Sequence, residues 1–93
     1  MLDNNIKDLD VGVLVNNVGI AWLGIYHTQP VKSMFDLLHI NCAGQLTFSR
    51  YFLNKWAAER SGKKCAIVDV SSINYAEPML KLANYNASKA FNH

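Results

Sequence analysis

Long hydrophobic runs are missing from this 93-residue chain: although 51% of its residues are apolar, no stretch approaches the roughly 18 that a membrane-spanning helix needs. The opening Met1-Leu2-Asp3-Asn4-Asn5 has neither the basic nor the apolar region of a secretory signal. An excess of one charge is missing too. The formal net charge of +2 provides no electrostatic footprint for nucleic acid. Cysteine is scarce, and Cys42 and Cys65 lack the paired spacing of a zinc site or redox motif, which suits buried thiols in a reducing compartment. His27, His39 and His93 lie far apart without ligand spacing, so no metal site is expected. What remains is the composition of part of a soluble globular domain.

What is present alternates between short β-like runs and longer helical ones. Val11 to Val15 is rich in β-branched residues and is stopped by Asn16-Asn17 and Gly19, which predicts a buried parallel strand opening into a loop. After Pro30, apolar residues recur at helical intervals from Val31 to about Arg60, among them Phe35, Leu38, Cys42, Leu46, Ser49, Phe52, Leu53 and Trp56. This predicts one long helix, bent near Gly44. Phe48, Phe52 and Trp56 are assigned to packing rather than to a ligand pocket. Ser61-Gly62-Lys63-Lys64 is a helix stop, with a glycine for the helix end and lysines that favour the negative pole of the dipole. A second strand is expected over Ala66 to Val70, then an irregular segment with Pro78, then the start of another helix over Ala83 to His93.

Strand, helix, strand, helix implies an α/β fold with a parallel sheet, in which ligands gather beyond the carboxyl ends of the strands. Both marked loops, Asn16 to Gly19 and Ser71-Ser72, fall at such ends. Two strands are too few for a stable doubly wound sheet, so the chain reads as a slice of a larger domain.

The most informative residues are Tyr85-Asn86-Ala87-Ser88-Lys89, with Ser72 standing thirteen positions before the tyrosine. A tyrosine one helical turn before a lysine, with a serine brought in from a strand end, is a proton-transfer constellation for a carbonyl and its alcohol. Tyr-x-x-x-Lys alone proves little, since composition predicts about 0.3 chance copies in such a chain. A decoy exists in Tyr51 and Lys55, but it lies within an apolar helical stretch, and thirteen residues upstream stands Leu38 instead of a serine.

Four landmarks in order resemble the short-chain dehydrogenase/reductase family. Asn16-Asn17-Val18-Gly19 looks like its Asn-Asn-Ala-Gly motif, Asn41 its helix asparagine, Ser72 its active-site serine, and Tyr85 with Lys89 its Tyr-x-x-x-Lys. Valine at Val18 and the spacing of Ser72, Pro78 and Tyr85 resemble the branch of 17-beta-hydroxysteroid dehydrogenases and very-long-chain 3-ketoacyl-CoA reductases. The resemblance implies that residues 1–93 are a central fragment of a Rossmann-type doubly wound sheet of roughly 250 residues, without the N-terminal glycine-rich turn or the C-terminal substrate region.

The resemblance also implies roles. Tyr85 is the expected general acid in reduction and base in oxidation, and the charge of Lys89 favours its phenolate. Ser72 is expected to hydrogen-bond the substrate oxygen, and Asn41 to anchor a water linking Lys89 to solvent. Asn16 and Gly19 are expected to lie against the cofactor ribose, which Lys89 also holds, while Asn17 stiffens the loop. The cofactor is NADP or NAD, with NADP favoured by the resemblance. The substrate is a small carbonyl or alcohol of steroid or 3-ketoacyl type. Tyr75 stands where the family usually has glycine, three residues after the serine, and a side chain of that size narrows the pocket mouth.

A homo-oligomer through the long helix is a further expectation, with activity in the cytoplasm or on the cytosolic face of the endoplasmic reticulum. Lacking its phosphate-binding turn, the isolated chain should not transfer hydride. The alternative is an inactive truncated relative acting by binding or dimerisation. An unrelated flavodoxin-like module gives no reason for Ser72, Tyr85 and Lys89 to keep this spacing.

Overall fold

A computed structural model of the chain describes residues 6–93. Strand β1 (Val13–Asn16) leads through a 3-10 turn (Tyr26–Thr28) into helix α1 (Val31–Leu38). A π-helical segment (His39–Ala43) joins it without a break to α2 (Gly44–Glu59). Then come β2 (Ala66–Asp69), a second 3-10 turn (Ile73–Tyr75) and α3 (Ala83–Asn92). The strands pair in parallel, with Val13 opposite Ala66 and Asn16 opposite Asp69. The expected α/β order is therefore present, and both strand ends deliver their loops to the same edge.

Strand β1 begins later than the β-branched run suggests because the Val11 carbonyl is committed elsewhere. It accepts the Trp56 indole N–H at 2.6 Å, which pins the chain entering β1 to α2. Trp56 is 7% exposed and packs at 5.7 Å, centroid to centroid, on Phe52, itself 5% exposed. Trp56→Ala removes this burial and orphans a carbonyl, so it should cost about 3–5 kcal/mol of stability. A urea titration followed by circular dichroism measures the loss, and an unshifted midpoint would show that α2 does not hold β1.

The expected bend near Gly44 is a different feature. Gly44 is ordinary helix (φ −58, ψ −48), and the irregularity is the π-helical segment before it. One extra residue per turn rotates everything downstream, so a continuous 3.6-residue count across it misassigns faces. Leu37, Phe52 and Trp56 are buried, whereas Phe35, Leu38, Leu46 and Leu53 are exposed. Phe48, also expected to pack, is 39% exposed.

The helix stop is as expected: Gly62 adopts φ +81. Lys81 is also left-handed (φ 64), just ahead of α3. Its carbonyl accepts the Gly24 N–H at 2.9 Å, tying the loop after β1 to the approach of α3. The thiols depart from expectation. Both are free, Cys42 is half-buried, and Cys65 is exposed beside Arg60, whose Nε lies 3.3 Å from its sulfur. Among the described residues, no helix is long and apolar enough to cross a membrane.

Candidate active site

Helix α3 places Tyr85 and Lys89 one turn apart on one face. The Lys89 ammonium lies 5.7 Å from the centroid of the Tyr85 ring. Lys89 is 5% exposed, and its Nζ donates to the Val70 carbonyl at 3.3 Å. No acidic side chain pairs with it among the described residues. An ammonium carries three donors, so this one retains hydrogen-bonding capacity inside the protein.

Gly19 leaves room beside that ammonium. A Cβ there would sit 3.2 Å from Lys89 Nζ and 3.5 Å from Asn41 Oδ1, so the bare backbone lets the loop after β1 close over the ammonium. The loop is held by Asn41, which is 2% exposed within the π-helical segment. Its Oδ1 accepts the Ile20 N–H at 2.8 Å. Its Nδ2 donates to the Ile20 carbonyl at 2.8 Å and to Ser88 Oγ at 3.0 Å. The Asn41 side chain thus clamps loop to helix, and its backbone carbonyl accepts from Asn92 Nδ2 at 2.7 Å.

Asn16 turns inward as well, donating to Asp69 Oδ1 at 2.7 Å and Ser49 Oγ at 3.2 Å, which locks the carboxyl ends of both strands together. Asn17, expected to stiffen the loop, is exposed, and the loop is held by the Asn41 bonds to Ile20 and by the Gly24 N–H on the Lys81 carbonyl. A cavity of about 340 Å³ lies beside these residues, lined among others by Asn17, Val18, Asn41, Gln45, Phe48 and Asn92.

On the β2 side, the Ser71 hydroxyl donates to the Lys89 carbonyl at 2.5 Å, fixing the strand end against α3. Ser72 opens the 3-10 turn, and its Oγ accepts the Asn74 N–H at 3.3 Å. Tyr75 stacks on His93 at 3.8 Å with rings 12° from parallel, so its bulk is drawn toward the end of α3. Burial pushes the Cys42 thiol up, and the positive charge of Lys89 opposes that shift.

The motifs marked Ser72, Tyr85, Lys89, Asn41, Asn16 and Gly19, and the fold gathers their elements at one edge. It also brings in Ser71, Asn86 and Ser88, which the motifs contain without giving them a role, and Asn74 and Asn92, which they do not contain. Asn92 had one legible signal, its place three residues after Lys89 on the same helical face. Asn74 had none, because its partner arrives from another element.

Residues 3–93 match the family described as short chain dehydrogenase. The chain belongs to that family. It is 34% identical over 97% of its length to the very-long-chain 3-oxoacyl-CoA reductase of Coccidioides immitis, covering 26% of that protein. It is 35% identical over 92% of its length to the human inactive hydroxysteroid dehydrogenase-like protein 1, again covering 26%. The resemblance to the branch holding these proteins is thus borne out, and the chain spans about a quarter of the length of such relatives. A 4-hydroxyisoleucine dehydrogenase complexed with NADH superposes with a TM-score of 0.85 over 98% of this chain and 39% of that one; at 21% identity this shows the shared Rossmann-type fold.

Proposed function

We propose that the protein carrying this chain is an NAD(P)-dependent oxidoreductase that interconverts a ketone and a secondary alcohol of steroid or 3-ketoacyl type. The observation that carries this reading is the buried Lys89 ammonium, free of any acidic partner among the described residues and one turn from Tyr85. An ammonium so placed has donors to spare for ribose hydroxyls and puts a positive charge beside the reacting oxygen. Tyr85 gives its proton to the substrate oxygen in reduction and takes it back in oxidation. Ser72 donates to that oxygen and orients it. Asn41 keeps the loop closed over Lys89, and its carbonyl can take a water alongside Asn92, giving Lys89 a route to solvent. The cofactor, when bound, supplies or accepts the hydride; NADP is favoured over NAD by the resemblance to reductases.

The glycine-rich turn that binds pyrophosphate is absent from residues 1–93, so the isolated chain is expected to be inactive. The test therefore uses the protein at its native length, in the cytoplasm or on the cytosolic face of the endoplasmic reticulum where this reading places it. Incubated with NADPH or NADH carrying deuterium at the transferable position, and with a 3-ketoacyl thioester or a ketosteroid, it should place deuterium on the carbinol carbon. Product without deuterium from either cofactor would sink the reading.

A second reading, an inactive relative that acts by pairing, draws on exposed Phe35, Leu38, Leu46 and Leu53 along the long helix, and on the name of the human relative. The presence of both Tyr85 and Lys89 favours the enzyme. A dimer that dissociates when Leu46 and Leu53 become lysine, in a protein without turnover, would reverse that preference.

A further inference from the structure

Asn74 lies two residues past Ser72 in the second 3-10 turn and is 5% exposed, a depth at which an amide requires partners. It has them. Its N–H donates to Ser72 Oγ at 3.3 Å, and its Oδ1 receives the Ser72 hydroxyl at 3.4 Å. Its Nδ2 donates to Asn86 Oδ1 at 3.1 Å. Asn86 follows Tyr85 directly on α3, and its own Nδ2 donates to the Met79 carbonyl at 2.9 Å. A continuous side-chain path therefore joins the serine hydroxyl to the residue beside the tyrosine.

We propose that Asn74 and Asn86 are positioning residues, a two-amide bridge that sets the Ser72 hydroxyl against the Tyr85 phenol. The inference rests on the reductase reading above. Ser72 leaves a strand end and Tyr85 stands on a helix, and the chain between them is irregular, with a left-handed Lys81. Backbone continuity cannot fix two such groups to the tolerance that proton transfer demands. The bridge can, because one end grips the serine and the other grips both α3 and the Met79 loop.

The bridge also tunes the hydroxyl. An oxygen that accepts an N–H bond becomes a better O–H donor, since chained hydrogen bonds polarise one another. The bond from Ser72 to Asn74 Oδ1 is long at 3.4 Å, so its proton is readily given to a substrate oxygen, while the Asn74 N–H keeps Oγ in place. In the decoy pair, Lys55 is committed to Glu59 at 2.7 Å.

The test compares native-length wild type with Asn74→Ala, Asn86→Ala, the double variant and Asn86→Asp. Each alanine variant should lower kcat roughly 10- to 100-fold, the loss expected when a reacting group is displaced by an ångström or so. The cofactor KM should stay within about twofold, and the double variant should be no slower than the slower single, because the pair acts as a unit. Asn86→Asp, which keeps an acceptor for Asn74 Nδ2 and gives up only the Met79 bond, should recover most of the Asn86→Ala loss. Additive losses, or a cofactor KM rising in step with the fall in kcat, would overturn the proposal.

A second measurement needs no turnover. Backbone amide exchange over residues 72–77 should quicken in Asn86→Ala while exchange in α3 holds. Unchanged exchange overturns the bridge, whereas a wild type without turnover overturns the reductase reading, so the two failures are distinguishable.

Discussion

Tyr85→Phe in the native-length protein should lower kcat by roughly 10²- to 10⁴-fold, the usual worth of a positioned general acid or base. The substitution removes one oxygen. No hydrogen bond of the fold depends on it among the described residues: the contacts that place Tyr85 are the Lys89 ammonium over its ring and the Ser88 hydroxyl on its carbonyl, and both survive in phenylalanine. Thermal midpoint and cofactor affinity should therefore stay close to wild type. Stopped-flow measurement of single-turnover hydride transfer, beside a cofactor titration, separates the two quantities. Phenylalanine that leaves the chemical step intact would remove Tyr85 from the reaction and the proposed function with it.

Lys89→Met should separate activity from stability. Its ammonium is buried, and among the described residues it has a single neutral acceptor, the Val70 carbonyl at 3.3 Å. A charge held that way costs desolvation that no ion pair offsets, and methionine fills similar volume without it. Stability should be unchanged or higher by up to about 2 kcal/mol, after allowing for the orphaned carbonyl. Turnover should fall by a factor of roughly 10² or more on the proposed reading, because the positive charge one turn from Tyr85 is gone. Cofactor binding should weaken too, since the spare donors are gone. A thermal melt and an activity assay on the same sample settle it, and a variant that is both active and less stable would mean that Lys89 serves the fold instead of the chemistry.

Much of the fold is legible in the chain itself. The β-branched run ending in Asn16-Asn17, the 3.6-residue apolar count after Pro30 and the stop at Gly62 depend on local propensity, which a one-dimensional string carries in full. Boundaries are less so. Val11 leaves the strand because Trp56, far along the chain, claims its carbonyl. The same holds for the helix face: five residues of π-helix shift the count, and exposed Leu46 and Leu53 cannot be told from buried Phe52 without locating that shift. Cys65, expected to be buried, lies exposed at a strand approach beside the Arg60 side chain.

The site divides along the same line. Tyr85 and Lys89 are legible because both ride one helix, where a spacing of four is already a spatial statement. Ser72, Asn41 and Gly19 are marked by their place in an ordered set of motifs, and that order points to the family. What the sequence alone determined is therefore the class of elements, their order and which side chains are candidates for the chemistry. What tertiary structure alone decided is how those side chains are held. Gly19 makes room for Lys89, Asn41 spends its amide on Ile20 and Ser88, and Asn74 meets Asn86. Each of those contacts joins two elements, and the distance between elements is set by packing and loop closure, which no local spacing encodes.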